Sequence, residues 1–332
     1  VGFVPALGLA QGDGAASRAL TGMGVICWQL PWVGSVEEVL RRDGAGLDLV
    51  YLHRHGPMQR YAALARHWAP QARLVYSLAD LHWLRAARAH ALAIGQDTLP
   101  PEIEALRHAE LTAILAADAV ITHSSHEAAL LAADTPQAAV HLLPWAIAPR
   151  PVTTPFAGRD AIAFVGSYGH PPNLDAARTL LAEVMPAVWA EAPALRLLLA
   201  GSDLPASLRD AAAAAPGPVE VLGHIPDLAA LWERCRLSAA PLRYGAGLKG
   251  KVLDSLAAGI PCLCSETAAE GMDLPATLAP LVTAGPAAMA AAILRLHRDE
   301  AACTALGQAG LDWIEDHFSS ARIVAAMRDV AG

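Results

Sequence analysis

The chain has 332 residues, 54% of them hydrophobic, with five cysteines and a formal net charge of -8. That length accommodates two domains or one large α/β unit, and the alanine-rich apolar fraction suits helix-rich layers. The negative balance excludes a mainly nucleic-acid-binding role, which needs a dense basic face, and no apolar run is long enough to span a bilayer.

The chain starts on Val1 and opens on an apolar strand, Val1 to Pro5, that does not read as a secretory signal. A helix at Ala15–Thr21 then leads to a strand at Val25–Leu30, a helix at Val36–Arg42 to a strand at Asp48–Leu52, and a helix at Met58–His67 to a strand at Arg73–Leu78. This βαβ rhythm predicts a parallel sheet with helices on both faces, whose working residues sit where strands end at their carboxyl edge. His53, Arg54 and His55 stand at one such edge, and Asp80, Leu81 and His82 at the next. Capping by Asp80 and packing by His82 account for the same residues without a ligand.

Helical sequence runs from Leu81 to Ala117, broken near Gly95 and Pro100-Pro101. Arg85, Arg88 and Arg107 along it read as a solvated face, with weak attachment to an acidic membrane as the alternative. A strand at Asp118–Thr122 ends at His123-Ser124-Ser125, where either serine can cap a helix. A strand at Ala139–Leu143 closes the first domain, and the prolines at 149, 151 and 155 mark a linker within residues 146–160.

The second domain opens on the apolar strand Ala161–Val165 and its small-residue turn Gly166-Ser167. Pro171-Pro172-Asn173 starts a helix to Ala190. A strand (Leu195–Ala200), a helix (Pro205–Ala214) and a strand (Val219–Leu222) follow, then the turn Gly223-His224-Ile225-Pro226-Asp227, with Asp227 placed to cap a helix to Arg234. The strand Leu237–Pro241 runs into Arg243 and the turn Gly245-Ala246-Gly247. A helix over Leu248–Ala258 comes next, stopped by Gly259 and Pro261, and then the strand Ile260–Cys264. Strand, glycine turn and helix start make an anion site, because the first N–H groups lack intrahelical partners and the macrodipole favours negative charge. Lys249 and Lys251 add two cations where cations are unfavourable unless an anion binds. Asp254 shares a face with Lys251 one turn on. Solvated lysines on a surface helix are the bland alternative. Residues 265–271 read as a loop, and helices at Ala287–His297, Glu300–His317 and Ala321–Val330 complete the chain. Cys27, Cys235, Cys262, Cys264 and Cys303 lack zinc or disulfide spacing, which predicts reduced, buried thiols in a cytosolic protein.

The central stretch resembles the donor-site signature of retaining family-4 glycosyltransferases of GT-B fold, which carry Glu-x7-Glu, an Ala-Ala-Gly turn and a Pro-bearing strand. Here Asp254 holds the second acid position, before Ser-Leu-Ala-Ala-Gly-Ile-Pro, and Ala246 replaces the first acid. The pattern Pro-Leu-Arg-x-Gly-x-Gly-x-Lys-x-Lys is also found among bacterial members of this group. The resemblance implies two Rossmann-like doubly wound domains facing across a cleft. An acceptor-side domain takes residues 1–147, its first βα unit expected to be missing. A linker takes 148–160, a nucleotide-sugar domain 161–316, and a helix over 317–332 returns to the first domain.

The same resemblance assigns roles. Phe164-Val165-Gly166 is similar to a family strand whose following Arg and Lys clamp the donor pyrophosphate. Ser167 and Pro172 stand in their places here, so Lys249, Lys251 and Arg243, with His170, are expected to compensate. His82 would touch the donor sugar or its phosphate, while Asp80, His53 and Arg54 would lie on the acceptor side. The turn holding His224 and Ile225 would take the nucleobase through its backbone, Asp254 the ribose, and Glu270 the sugar, with Glu266 as another candidate. Gly166, Gly245, Gly247 and Leu248 would line the diphosphate. No cofactor beyond the nucleotide-diphosphate sugar is expected, and no metal, since no Asp-x-Asp occurs. The implied partners are the nucleotide sugar and a glycan or lipid-linked acceptor, in the cytoplasm or at the inner face of the plasma membrane, for surface polysaccharide or glycolipid synthesis. A non-catalytic nucleotide-sugar-binding homologue and a GT-B nucleotide-sugar epimerase are the alternatives. A hydrolase or a Rossmann dehydrogenase lacks its paired carboxylates or its Gly-x-Gly-x-x-Gly.

Overall fold

The computed structural model describes residues 2–3, 14–96 and 98–331. Its first part begins with β1 (Gly2–Phe3), α1 (Ala15–Gly22) and β2 (Ile26–Cys27), the two strands pairing in parallel as a separate ribbon. The rest of the strand expected at 1–5 lies outside the described residues. The strand expected at Val25–Leu30 is only two residues long. The Gln29 carbonyl accepts from Trp32 N (2.9 Å) and Val33 N (3.2 Å), closing a turn where the strand would have continued.

Then come α2 (Val36–Asp43), β3 (Leu49–His53), α3 (His55–Trp68), β4 (Arg73–Ser77), α4 (His82–Ile94), α5 (Pro101–Leu115), β5 (Ala119–Thr122), α6 (Ser125–Asp134) and β6 (Val140–Leu142). The strands form a parallel sheet ordered β3-β4-β5-β6. Its apolar residues face helices on both sides, as β4 shows: Tyr76 packs in one core layer with Met58, Ile114 and Leu131, and Val75 in the other with Ile121 and Val330.

The second part holds β7 (Ala161–Val165), α7 (Pro171–Thr179), a π segment at Leu180–Val184 running into α8 (Met185–Glu191), β8 (Arg196–Ala200), α9 (Ala206–Ala213), β9 (Val219–Gly223), α10 (Ala229–Trp232) and β10 (Cys235–Ala240). It continues through α11 (Gly250–Ala257), β11 (Cys262–Ser265), α12 (Glu266–Ala269), β12 (Val282–Thr283), α13 (Pro286–Arg298) and α14 (Glu300–Phe318), with α15 (Ser320–Ala331) last. The parallel sheet runs β12-β11-β10-β7-β8-β9. Connections from β7 lead outward on one side and those from β10 on the other, so the strand order reverses between these two central strands. Ligands of such sheets sit in the crevice beyond the strand ends at that point.

Residues 266–269, expected as loop, form a helical turn. Ser265 supplies its cap, accepting from Ala268 N at 3.1 Å, and Ser265 Oγ also donates to the Leu242 carbonyl at 2.6 Å. Helix α11 starts at Gly250, two residues later than expected, because Lys249 is extended at the cap position.

The chain crosses between the two parts twice, side by side: Ile147 N donates to the Phe318 carbonyl at 2.8 Å. The linker also caps α11, Arg150 N and Val152 N reaching the Ala257 and Ala258 carbonyls at 2.7 and 3.1 Å. Beyond Ser319, α15 turns back to the first sheet, where Val330 is buried with Val75, Ala119, Ile121 and Leu143. All five cysteines are free, and four of them are buried. The two separate parallel sheets with flanking helices give an α/β protein of two Rossmann-like domains.

Candidate functional site

The crevice beyond β7 and β10 is built by backbone that tolerates no side chain. A Cβ added to Gly201, at the end of β8, would lie 1.7 Å from the Gly166 carbonyl oxygen, so the turns after β7 and β8 pack main chain on main chain. Ser167 Oγ does not point free into this space; it donates to Asp203 Oδ2 at 3.0 Å, as Ser202 Oγ does at 2.7 Å. Asn173, in the first turn of α7, donates from Nδ2 to the Ser167 carbonyl (2.8 Å) and accepts on Oδ1 from Lys251 Nζ (2.5 Å). An ammonium only donates, which fixes the orientation of the Asn173 amide.

Lys249 and Lys251 flank the start of α11. Lys249 is 6% exposed and its Nζ donates to the Gly247 carbonyl at 2.6 Å. Lys251 Nζ lies 5.3 Å from the centroid of the Phe164 ring. Burial pushes both ammoniums down to about 8. Among the described residues neither forms an ion pair with a carboxylate. Lys251 shares a helix face with Asp254, but its ammonium bonds to Asn173 instead. Both ammoniums thus have neutral oxygens as their hydrogen-bond partners, at the start of a helix.

The glycine turn faces the first domain. Gly247 has a φ of 66°, and a Cβ there would lie 2.6 Å from the Ala79 carbonyl oxygen and 2.9 Å from Asp80 Cβ. Ala246 packs against the first domain's core cluster, which includes Leu78, Leu81 and Leu84. An acid at that position would meet this apolar wall.

Across the crevice, Asp80 does not cap α4. It pairs with Arg85 and lies 3.5 Å from His82 Nε2. The free N–H groups of the α4 start go to two buried carboxylates instead. Glu110 Oε1 accepts from His82 N (3.1 Å), Glu110 Oε2 from Trp83 N (2.8 Å) and Glu127 Oε1 from Leu81 N (2.9 Å). His82 Nδ1 is 3.4 Å from Glu110 Oε1, and the His82 ring stands edge-on to the buried His55 ring. His53 and Arg54 are exposed at the end of β3, where His53 Nδ1 sits 3.1 Å from Ser77 Oγ and Arg54 has a φ of 73°. Burial, then the charges of Arg85, Lys251 and Arg54, drives His170 down to about 4.

The remaining candidates disperse around it. Arg243 pairs with Asp175. Glu270 is held by Arg88, whose guanidinium reaches both carboxylate oxygens (2.7 and 2.8 Å) and the Gly245 carbonyl (2.8 Å). Burial works to raise the Glu270 carboxyl, but Arg88, with His126 and Lys249 behind it, holds it below the usual range. Arg88 is thus no solvated-face charge: it ties α4 to the second domain. It lines a cleft of about 530 Å³ with Leu92, Arg243, Glu266, Thr267 and Glu270. Asp254 opens onto a different cleft, of about 340 Å³, shared with Arg150, Pro226, Asp227 and Trp232. His224 is exposed on the rim of that turn. Ile225 packs inward against the cluster of Leu231, Trp232 and Ile260. Leu248 is buried in the second domain's core. Asp227 Oδ1 accepts from Ala229 N at 3.0 Å, a cap for α10.

Sequence reading passed over Glu110, Glu127, Asn173 and the partnership of Arg88 with Glu270. Glu127 had a signal: Ser124-x-x-Glu127 has capping-box spacing, and Ser124 Oγ does accept from Glu127 N, at 3.4 Å. Its carboxylate, however, turns inward, to Leu81 N, Thr122 Oγ1 and Gly247 N.

Residues 159–299 match the family model "Glycosyl transferases group 1". A search of curated proteins found no match. Among solved structures, HepE from Anabaena with UDP and glucose aligns at a TM-score of 0.71 and 16% identity, covering 96% of this chain and 88% of that one. Sucrose-phosphate synthase from Thermosynechococcus elongatus aligns at 0.66 and 20% identity, covering 92% and 82%. The pneumococcal O-GlcNAc transferase GtfA with UDP and GlcNAc aligns at 0.62 and 14% identity, covering 90% of this chain and 60% of that one. The chain therefore has the GT-B fold of these glycosyltransferases, and its second domain carries the group 1 glycosyltransferase family match.

Proposed function

We propose that the protein transfers a sugar from a nucleotide-diphosphate sugar to a glycan, lipid-linked or other acceptor, with retention of configuration and without a metal ion. The setting is bacterial surface polysaccharide or glycolipid synthesis, in the cytoplasm or at the inner face of the plasma membrane. The observation that carries the reading is the pair Lys249, buried, and Lys251, half-buried, which among the described residues have no carboxylate ion-pair partner and stand beside a glycine turn at the strand-order reversal. A diphosphate supplies the missing charge. The family match over 159–299 and structural relatives solved with UDP make UDP the first nucleotide to test.

In this reading the departing diphosphate gathers charge against Lys249, Lys251 and the free N–H groups at the start of α11, a field already in place before reaction. Asp254 and the turn 223–227, which share a cleft, take the nucleoside. His82 faces the sugar, and Asp80 the acceptor hydroxyl. The bond from the anomeric carbon to the phosphate oxygen breaks while the acceptor oxygen bonds on the same face. The acceptor proton passes to the departing phosphate oxygen. Incubation with UDP-sugars and other nucleotide sugars, with nucleoside diphosphate release and product anomer followed by NMR, tests this. An inverted product removes the retaining mechanism, and failure to bind any nucleotide sugar removes the whole reading.

One observation favours a second reading, nucleotide-sugar binding without transfer: Ala246 occupies the first acid position and packs on the opposite domain. Tight binding with no turnover over any acceptor is its signature.

A further inference from the structure

Glu127 is a buried carboxylate that the reaction above does not use. It is 1% exposed. Its Oε1 accepts from Leu81 N at 2.9 Å and from Gly247 N at 2.8 Å, and its Oε2 accepts from Thr122 Oγ1 at 3.1 Å. Leu81 and Thr122 belong to the first domain, whereas Gly247 belongs to the second. One oxygen is therefore hydrogen-bonded to both halves of the molecule.

The chemistry explains why such a contact persists once made. A carboxylate removed from water is tolerated only when its lone pairs are filled, and among the described residues its own domain supplies two donors. The third comes from across the crevice. Gly247 N, for its part, is a buried donor whose acceptor is this carboxylate. The approach depends on glycine, since a Cβ at position 247 would run into Ala79 and Asp80. The carbonyl of the same residue accepts the Lys249 ammonium. Glu127 thus holds one end of Gly247 and Lys249 binds the other.

We propose that Glu127 is a positioning residue: it clamps Gly247 to the first domain and, through the Gly247 carbonyl, sets the Lys249 ammonium. The anion cradle then reaches its final shape only when the two domains are together. This rests on the glycine turn being the donor-phosphate cradle, so the test has one arm that needs no donor.

That arm is amide hydrogen exchange on the full chain, read for peptides covering 79–83 and 243–250 against the core strands β7 and β8. Glu127→Ala removes the acceptor. Glu127→Gln keeps an oxygen for both amides and turns its NH2 to Thr122 Oγ1, which can rotate to accept. Gly247→Ala leaves Glu127 intact and wedges the domains apart, which keeps the test alive if Glu127→Ala does not fold. The expected result is faster exchange of both peptides, by about tenfold or more, in Glu127→Ala and Gly247→Ala, parental exchange in β7 and β8, and near-parental behaviour in Glu127→Gln. Parental exchange at 243–250 in Glu127→Ala overturns the proposal, and so does parental exchange in Gly247→Ala where Glu127→Ala does not fold. The second arm is calorimetry with UDP. Affinity should fall about tenfold in Glu127→Ala and return in Glu127→Gln, the loss of one charge-assisted hydrogen bond from a positioned group. Equal UDP affinity in parent and Glu127→Ala overturns the positioning role. A parent that fails to bind UDP or any other nucleoside diphosphate removes the donor reading, and the exchange arm alone then decides the clamp.

Discussion

Replacing Lys251 by methionine should weaken nucleotide binding and strengthen the fold. The ammonium sits on Asn173 Oδ1 and beside the Phe164 ring, with its pKa lowered by burial from 10.5 to about 8. A folded-state value below the unfolded one means that at pH 7, where both states are charged, the fold bears the full cost of holding the proton. Between pH 8 and 10.5 the unfolded chain keeps the proton that the folded one has lost, so stability rises with pH across that window. At about 1.4 kcal/mol per pKa unit the cost at pH 7 approaches ~3 kcal/mol, offset by about 1 kcal/mol for the hydrogen bond to Asn173. Lys251→Met keeps the aliphatic stem and removes the charge, so it should gain roughly 1–2 kcal/mol at pH 7 and lose that gain by about pH 10.5. UDP affinity moves the other way, down by about ten- to a hundredfold, the range for a charge-assisted contact of roughly 1.5–3 kcal/mol. Urea unfolding at pH 7 and pH 10 with calorimetry at pH 7 reads both effects. A variant as stable as the parent at every pH, or one that binds UDP within twofold of it, would refute the account of this lysine as a charge held for an anion.

Because Lys249 and Lys251 both titrate near 8 in the free protein, UDP affinity should fall as pH rises from 7 to 9, and binding near pH 8 should take up protons, visible as a buffer-dependent calorimetric enthalpy. Any transfer activity should survive EDTA unchanged; complete loss restored by magnesium or manganese would assign the diphosphate charge to a metal instead. Gly201→Ala should destabilise the second domain by about 3 kcal/mol or more in urea unfolding, since its Cβ would sit 1.7 Å from the Gly166 carbonyl oxygen at a φ of 146°.

The fold was legible because its signals are local. Strands such as Ala161–Val165 read as short apolar runs, their crossover helices carry proline or glycine at the ends, and the alternation alone implies parallel sheets. The glycine turn and lysines at the start of α11 were legible for the same reason, as they lie within a few residues of one another. Errors fell where a tertiary hydrogen bond decided a local conformation. Residues 266–269 are helical because Ser265 caps them and is itself tied to Leu242, 23 residues back.

What stayed hidden is the surface where the domains meet, since its partners are far apart in the chain. Glu127 and Gly247 are 120 residues apart, and Arg88 and Glu270 are 182 apart. Periodicity shows which helix face is apolar, but it does not say which charge will arrive from the other domain. Arg88 therefore looked like one more solvated cation on α4, and nothing local tied Glu270 to it. Ala246 makes the same point from the other side. The missing acid was plain in the sequence, but not that the alanine in its place packs against the core cluster of the other domain. A carboxylate there would meet that apolar cluster, while Glu127 already supplies a carboxylate to the neighbouring Gly247 N. Glu127 thus binds the turn from the opposite domain, and an acid placed in the turn itself as Ala246→Glu should separate the domains rather than improve the site.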